Sequence, residues 1–311
     1  MKIVKYSKQL RNLWNEHVQN SRTPHFMFHR EYIEYHSNRF KDCSLIFKNE
    51  KGKIVALLPA NIDGEVLYSH QGLSFGGLIL SKSALAIDVQ EIFSILISWI
   101  SKNTGVKKII YKKVPDIYST QPNQEDLYFL HQLGASINRR DLSTTINLND
   151  PIPFQSMRKR LARKGAKADL KIQQSTPAEV WPVLESVLHE QHKTKPVHST
   201  KEMILLTSLF PENITCWAAK YEDYVVSCVV IYKTCTVAHA QYIANSELGR
   251  SLGALDLLFQ ELIEVHSADH LFFDFGISTE RQGKHLNLGL INQKQGFGGR
   301  GIVHDFYEIF I

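Results

Sequence analysis

Three groups of residues in this chain have the types and spacing that chemistry needs. The first is a run of seven bases, Arg158, Lys159, Arg160, Arg163, Lys164, Lys167 and Lys171, broken by one acid, Asp169. If Ser156 caps a helix, Arg160, Arg163, Lys164, Lys167 and Lys171 fall on one stripe. Such a stripe is either a solvated helix face or a cationic wall for a phosphorylated or otherwise anionic ligand, because guanidinium groups match phosphate oxygens bidentately. The second group is Leu248-Gly249-Arg250-Ser251-Leu252-Gly253-Ala254, placed between a predicted strand and a predicted helix. Free N–H groups at a helix N-terminus hold pyrophosphate. Gly249, Arg250, Ser251, Gly253 and Ala254 are the candidate contacts, unless the two glycines serve only to permit a tight turn. The third group lies at the end of the predicted strand His270–Phe275 and after it: Asp274, Glu280 and His285, side chains of the kind that move protons. Asp274 alternates with Phe273 and Phe275, so it could instead point outward or cap a turn. Arg300, after Gly298-Gly299, could reach an anion or stay on the surface. His189 and His192 stand at i, i+3, which is not the HExxH spacing, and no third ligand is evident nearby. No metal site is expected.

These groups need elements to hold them. The chain has 311 residues, 43% apolar and 22% charged, which is enough for two domains with their own cores and excludes disorder. The net charge is +5, and outside the basic run 29 bases face 30 acids. A nucleic-acid binder usually spreads its basic surface over a broad face. Here the excess sits in one segment. The apolar stretch Ala84–Ile100 carries Asp88, Gln90 and Glu91 and reads as an amphipathic helix, so no membrane span is expected. The N-terminus lacks the apolar core of a signal peptide. Cys43, Cys216, Cys228 and Cys235 have no CxxC spacing, which fits free, mostly buried thiols and a cytoplasmic location.

The two halves show the same order of elements. In the first, Ser44–Phe47 and Lys53–Pro59 form a predicted hairpin. The strand Glu65–His70, a helix over Ala86–Lys102, the strand Lys107–Val114 and a helix near Glu125–Leu133 follow, and Ala135–Leu148 reads as two more strands. In the second, Thr215–Lys220 and Val225–Tyr232 flank a turn. Then come Thr236–Ile243, a helix over Ser251–His266, the strand His270–Phe275, a helix near His285–Gln295 and the strand-rich tail Gly301–Ile311. Helices are also predicted over Ser7–Gln19 and Pro177–His189. The prolines of Asn149-Asp150-Pro151-Ile152-Pro153 mark a linker. The expected division is residues 1–150 and 151–311, the second part opening with the basic helix.

This order resembles the acyl-CoA N-acyltransferase (GNAT) fold. Two units joined by a basic helix resemble the FemAB-like branch of that superfamily. Ser69-His70-Gln71-Gly72-Leu73-Ser74-Phe75-Gly76-Gly77-Leu78 is similar to its glycine-rich turn, and Arg160-Leu161-Ala162-Arg163-Lys164-Gly165-Ala166-Lys167 to its interdomain helix. Val114-Pro115-Asp116-Ile117-Tyr118, Asp274-Phe275-Gly276-Ile277-Ser278 and Gln293–Arg300 are similar to further blocks, so the resemblance covers nearly the whole chain. It implies an α/β (α+β) fold of tandem duplicated GNAT-like domains, each a mixed, mostly antiparallel sheet flanked by helices.

The resemblance also implies a bacterial N-acyltransferase. The second domain would take acyl-CoA at Gly249–Ala254, where Arg250 and Gly253 fit the superfamily's Arg/Gln-x-x-Gly-x-Gly/Ala loop and Leu255 departs from it. Asp274, or after it Glu280 and His285, would accept the amine proton. His70, Phe75, Arg160, Arg163 and Lys164 would hold an anionic acceptor in an interdomain cleft. The FemAB-type alternative is aminoacyl transfer from aminoacyl-tRNA to a peptidoglycan precursor, the only case in which nucleic acid is an expected partner. A third possibility from another class is a non-catalytic binding module with the same fold.

Overall fold

The computed structural model describes residues 1–311, with side chains for all but Gln191 and His192. The chain forms two compact units. Unit 1 is Met1–Asp141 with Glu280–His285 and Val303–Ile311, and unit 2 is Leu142–Thr279 with Leu286–Ile302. The last strand of the chain therefore belongs largely to the first unit.

Unit 1 runs through β1 (Lys2–Lys5), α1 (Arg11–Gln19), α2 (Arg30–Glu34), β2 (Lys41–Asp42), β3 (Leu45–Lys48), β4 (Ile54–Leu58), β5 (Asn61–Asp63), β6 (Val66–Tyr68), β7 (Ile79–Leu80), α3 (Ala86–Asn103), β8 (Lys108–Lys112) and α4 (Glu125–Gln132). The β3–β4 hairpin turns at Gly52, whose φ of 79° suits a residue without a Cβ. Helix α3 is amphipathic as its spacing predicts, and it buries Val89, Ile92, Phe93, Leu96 and Ile100 in a core shared with Leu45, Phe47 and Leu58. Full burial of each such side chain is worth about 1.5–3 kcal/mol. The segment Ala135–Leu148 is one strand, β9 (Ser136–Asn147), rather than two, and it passes from unit 1 into unit 2.

Unit 2 continues with α5 (Ser156–Lys167), β10 (Lys171–Ser175), α6 (Pro177–His192), α7 (Thr200–Leu209), β11 (Ile214–Tyr221), β12 (Tyr224–Lys233), β13 (Val237–Asn245), α8 (Glu247–Leu252), α9 (Ala254–Ser267) and β14 (Phe272–Ile277). The short strands β15 (Thr279–Glu280) and β16 (His285–Leu286) pair, and α10 (Leu288–Gly296) and β17 (Arg300–Phe310) close the chain. Helix α6 starts at a capping box in which Thr176 Oγ1 accepts from the Glu179 N–H at 3.3 Å. The helix predicted over Ser251–His266 is broken at Gly253, where φ reaches 77°. Residues 285 and 286 are strand, so the following helix starts at Leu288.

The same pairing scheme recurs in both units. β2–β5–β6 and β10–β11–β12–β13 are antiparallel ladders. A helix then leads to a strand parallel to the last of the ladder: β6 to β8 by way of α3, and β13 to β14 by way of α9. An antiparallel partner follows, β17 for β8 and β9 for β14. In each unit this set of strands is mixed and mostly antiparallel, with helices against it, and in unit 1 β1, β3, β4 and β7 form a further, wholly antiparallel sheet. No helix among the described residues is long and apolar enough to cross a membrane.

Candidate functional site

The parallel pair in unit 2 is short. β13 and β14 are in register at Val237–Phe272, Ala238–Phe273 and His239–Asp274, and there the pairing stops. Two irregularities part them. The register between β12 and β13 shifts after Val230, which leaves Gln241 as an extra residue on β13. β14 bends after Asp274, where Gly276 has a φ of 75°. Beyond the parting lies a cavity of about 580 Å³. Ile243 and Phe275 line it from the two strands, Met157 and Leu161 from α5, Val187 and Leu188 from α6, Leu255 and Phe259 from α9, and Leu290 and Phe297 from α10 or just after it.

The polar side chains in these walls include a buried ion pair and a buried lysine. Arg158 Nη1 donates to Asp256 Oδ1 at 2.7 Å, and both side chains are buried. Burial raises the Asp256 pKa above the ordinary carboxylate value, and the Arg158 guanidinium opposes that rise. Lys294 Nζ donates to the carbonyl oxygens of Gly276 and Ile277 at 2.8 and 2.7 Å. Burial lowers its pKa to about 8, against the pull of the Asp274 carboxylate. A buried lysine titrating so near neutrality in a cavity wall marks a candidate site.

A second polar row crosses the sheet at the same point. Tyr232, His239, Asp274 and Thr145 are register partners on β12, β13, β14 and β9. Asp274 is fully buried, and its Oδ1 accepts from Ser143 Oγ at 2.6 Å and Thr145 Oγ1 at 2.8 Å. His239 Nδ1 lies 2.7 Å from its Oδ2.

Several expectations are corrected by this arrangement. The glycine-containing loop is not an open anion cradle. Gly253 and Ala254 are buried, and a Cβ on Gly253 would stand 2.3 Å from the Leu161 carbonyl oxygen of α5. A Cβ on Gly249 would meet Asn245 Oδ1 and the Val226 oxygen, both at 2.3 Å. These glycines allow close packing. Ser251 is exposed and donates to the Leu248 oxygen, and only Arg250 of the loop lines the cavity, with Nη1 on the Asn245 oxygen.

Asp274 is saturated by donors and shielded from solvent, so it cannot itself meet a substrate. Glu280 and His285 are exposed on β15 and β16, in the segment that belongs to unit 1. His70 and Phe75 are buried in unit 1, which removes them from any acceptor surface. His70 packs against His36 and Phe40, and burial lowers its pKa to about 3. Phe75 packs against His25 and Tyr118.

Arg160, Arg163 and Lys164 are exposed on α5, and none has a carboxylate partner among the described residues. Arg160 and Lys164 stand three and seven positions after Met157, next to the stripe that faces the cavity. Arg300 is exposed and donates to the Gly299 oxygen, and the side chain of His192, of the His189–His192 pair, lies outside those described. Cys43, Cys216 and Cys228 are free and buried, and Cys235 is free and exposed. Sequence reasoning missed His239 and Lys294. For Lys294 the only local signal is a lysine amid helix residues that turn inward.

Unit 1 shows what closes such a parting. The loop after β6 fills it: Ser69 N–H donates to the Ile110 oxygen and Gly76 N–H to the Lys112 oxygen, both at 2.9 Å. Lys112 Nζ donates to the carbonyl oxygens of His70, at 2.9 Å, and Leu73, and burial takes its pKa down to about 7.

No family model matches the sequence, and no curated protein does. The structure is similar to FemX over 100% of this chain and 98% of that one, at 9% identity and a TM-score of 0.68. It is also similar to a conserved protein of unknown function from Bacteroides thetaiotaomicron (9% identity, 100% of both chains, TM-score 0.62). A tandem GNAT protein from the clavulanic acid biosynthesis pathway matches over 99% of this chain and 98% of its own, at 12% identity and a TM-score of 0.53. From the ladder-and-parallel-strand scheme of each unit to these full-length likenesses, the chain has a fold similar to those of FemX and the tandem GNAT protein.

Proposed function

We propose that this chain transfers an acyl group to an amine in the cavity of unit 2. The observation that carries the reading is the parting of β13 and β14 onto a mostly apolar cavity with Lys294 in its wall. In such a reaction the amine nitrogen forms a C–N bond to the acyl carbon. The C–S or C–O bond to the donor breaks, and its electron pair stays on the leaving sulfur or oxygen. At neutral pH Lys294 is mostly protonated, and two of its three N–H groups are held by carbonyls. The third can face the cavity, where an ammonium stabilises an oxyanion and supplies a proton to the leaving atom.

A specific observation bears on the donor. Helix α5 packs against Gly253 at the N-terminus of α9, where a coenzyme A pyrophosphate would be held, and the buried Asp256 carboxylate stands in the first turn of that helix. This favours the aminoacyl-tRNA alternative over acyl-CoA, and the exposed, unpaired cations of α5 suit a polyanionic donor or an anionic acceptor. The test is a transfer assay with radiolabelled aminoacyl-tRNA and with acyl-CoA, using a peptidoglycan precursor with a free amine as acceptor. Transfer from aminoacyl-tRNA that ribonuclease abolishes supports the favoured donor, and ribonuclease-resistant transfer from acyl-CoA replaces it. Lys294→Met should lower kcat about 100-fold or more with whichever donor works. An inert wild-type chain with both donors overturns the transfer reading.

A further inference from the structure

We infer that His239 and Asp274 form a proton-accepting dyad in which the imidazole Nε2 takes the proton from the attacking amine. This deepens the transfer reading and rests on it. Asp274 is fully buried and receives hydrogen bonds from the Ser143 and Thr145 hydroxyls on Oδ1, at 2.6 and 2.8 Å. Two hydroxyl donors on one oxygen favour the ionised carboxylate. An ionised carboxylate only accepts, so the 2.7 Å contact on Oδ2 fixes the proton on His239 Nδ1 and leaves a lone pair on Nε2.

The ring stands in the last register pair before β13 and β14 part, and its side chain keeps 18% of its surface open. Gly276 keeps the approach clear, since a Cβ there would lie 3.3 Å from His239 Cε1. The carboxylate, sealed off, is a positioning residue; the imidazole keeps the open surface, at the last register pair before the parting and beside, rather than among, the residues that line the cavity. As the C–N bond forms, the amine N–H bond breaks and its proton moves to Nε2. The resulting imidazolium is held by Asp274 until it releases the proton to water. Lys294 protonates the leaving atom separately, so the two faces of the parting divide the proton transfers between them.

The test uses the full-length chain with whichever donor supports transfer. His239→Ala, and His239→Gln as a variant closer in volume, should lose 100- to 10,000-fold in kcat with KM within a few-fold. Added imidazole should restore part of the His239→Ala activity, and melting temperatures should stay near the wild type. Wild-type kcat in either variant overturns the inference, as does a loss that imidazole does not restore in a chain that melts normally. A second measurement needs no substrate: carbethoxylation by diethylpyrocarbonate, mapped by mass spectrometry. His239 should react faster than the exposed His131 and His285 and slow at least five-fold in Asp274→Asn. Equal rates for His239 and His285, or no change in Asp274→Asn, overturn the dyad whatever the assay shows. A reactive His239 in a chain inert with both donors overturns the transfer reading alone and leaves the dyad supported.

Discussion

Burial lowers the Lys294 pKa from 10.5 to about 8, so the folded chain binds this proton less tightly than the unfolded chain does. The sign follows by linkage. Below pH 8 both states hold the proton and the full cost is present; between about pH 8 and 10.5 the folded state has released it first, so stability rises with pH. The rise is at most about 3 kcal/mol, at 1.36 kcal/mol per pKa unit. Urea midpoints of the wild type minus those of Lys294→Met should therefore increase from pH 7 to pH 10; a flat difference would mean that the ammonium is solvated. At this scale the sequence is half legible. Asp274 stands out between two phenylalanines at the end of a predicted strand. Nothing local marks His239, because its importance comes from a register partner 35 residues away.

Helix α5 shows how an element can be read correctly on one face and incompletely on the other. Its basic stripe is exposed, as both sequence readings require, while Arg158, Ala162 and Gly165 turn inward. Gly165 lets the helix lie close to α9, since a Cβ there would stand 3.0 Å from the Gly253 oxygen and from Leu257 Cβ. The adjacent break at Gly253 has the same cause, which explains why a loop resembling a phosphate cradle is covered. Gly253→Val should lower unfolding free energy by roughly 2–4 kcal/mol, from left-handed strain and the clash with Leu161; chemical denaturation measures it. Arg158→Ala should cost about 3–5 kcal/mol because it strands the buried Asp256, while the paired apolar replacement Arg158→Leu with Asp256→Leu should cost less than that single change. Helices and hairpins with strong periodicity were legible to within a few residues. α7 and β10 were not, since the first is short and apolar on more than one side and the second is a polar edge strand.

For the molecule as a whole, the exposed cations of α5 separate binding from folding. Replacing Lys159, Arg160, Arg163 and Lys164 by alanine should change stability by no more than about 0.5 kcal/mol each, since none has a carboxylate partner among the described residues. If they meet a polyanion, the same variant should bind tRNA more weakly and with a shallower dependence on salt, measured by filter binding at low and high ionic strength. Equal affinity at both would assign the stripe to water. The duplicated order of elements is visible in the sequence because strand and helix periodicities are local. That one parting is filled by its own loop and the other opens on a cavity is not, because the difference lies in long-range hydrogen bonds such as those of Lys112.

The return of the C-terminal strand to unit 1 also sets a timetable for synthesis. β8 pairs with β17 through Phe306–Lys112 to Phe310–Lys108, so one edge of β8 waits for the last residues of the chain. About 190 residues separate the two strands, and at 5–20 residues per second the ribosome needs roughly 10–40 s to cover them. Throughout that interval the nascent chain carries a strand containing Ile109, Ile110 and Tyr111 with one edge unpaired, the kind of edge that templates association with other chains. Messages cut short before Val303 make this state permanent, and their products should collect in the insoluble fraction even though nearly all of unit 2 has been made.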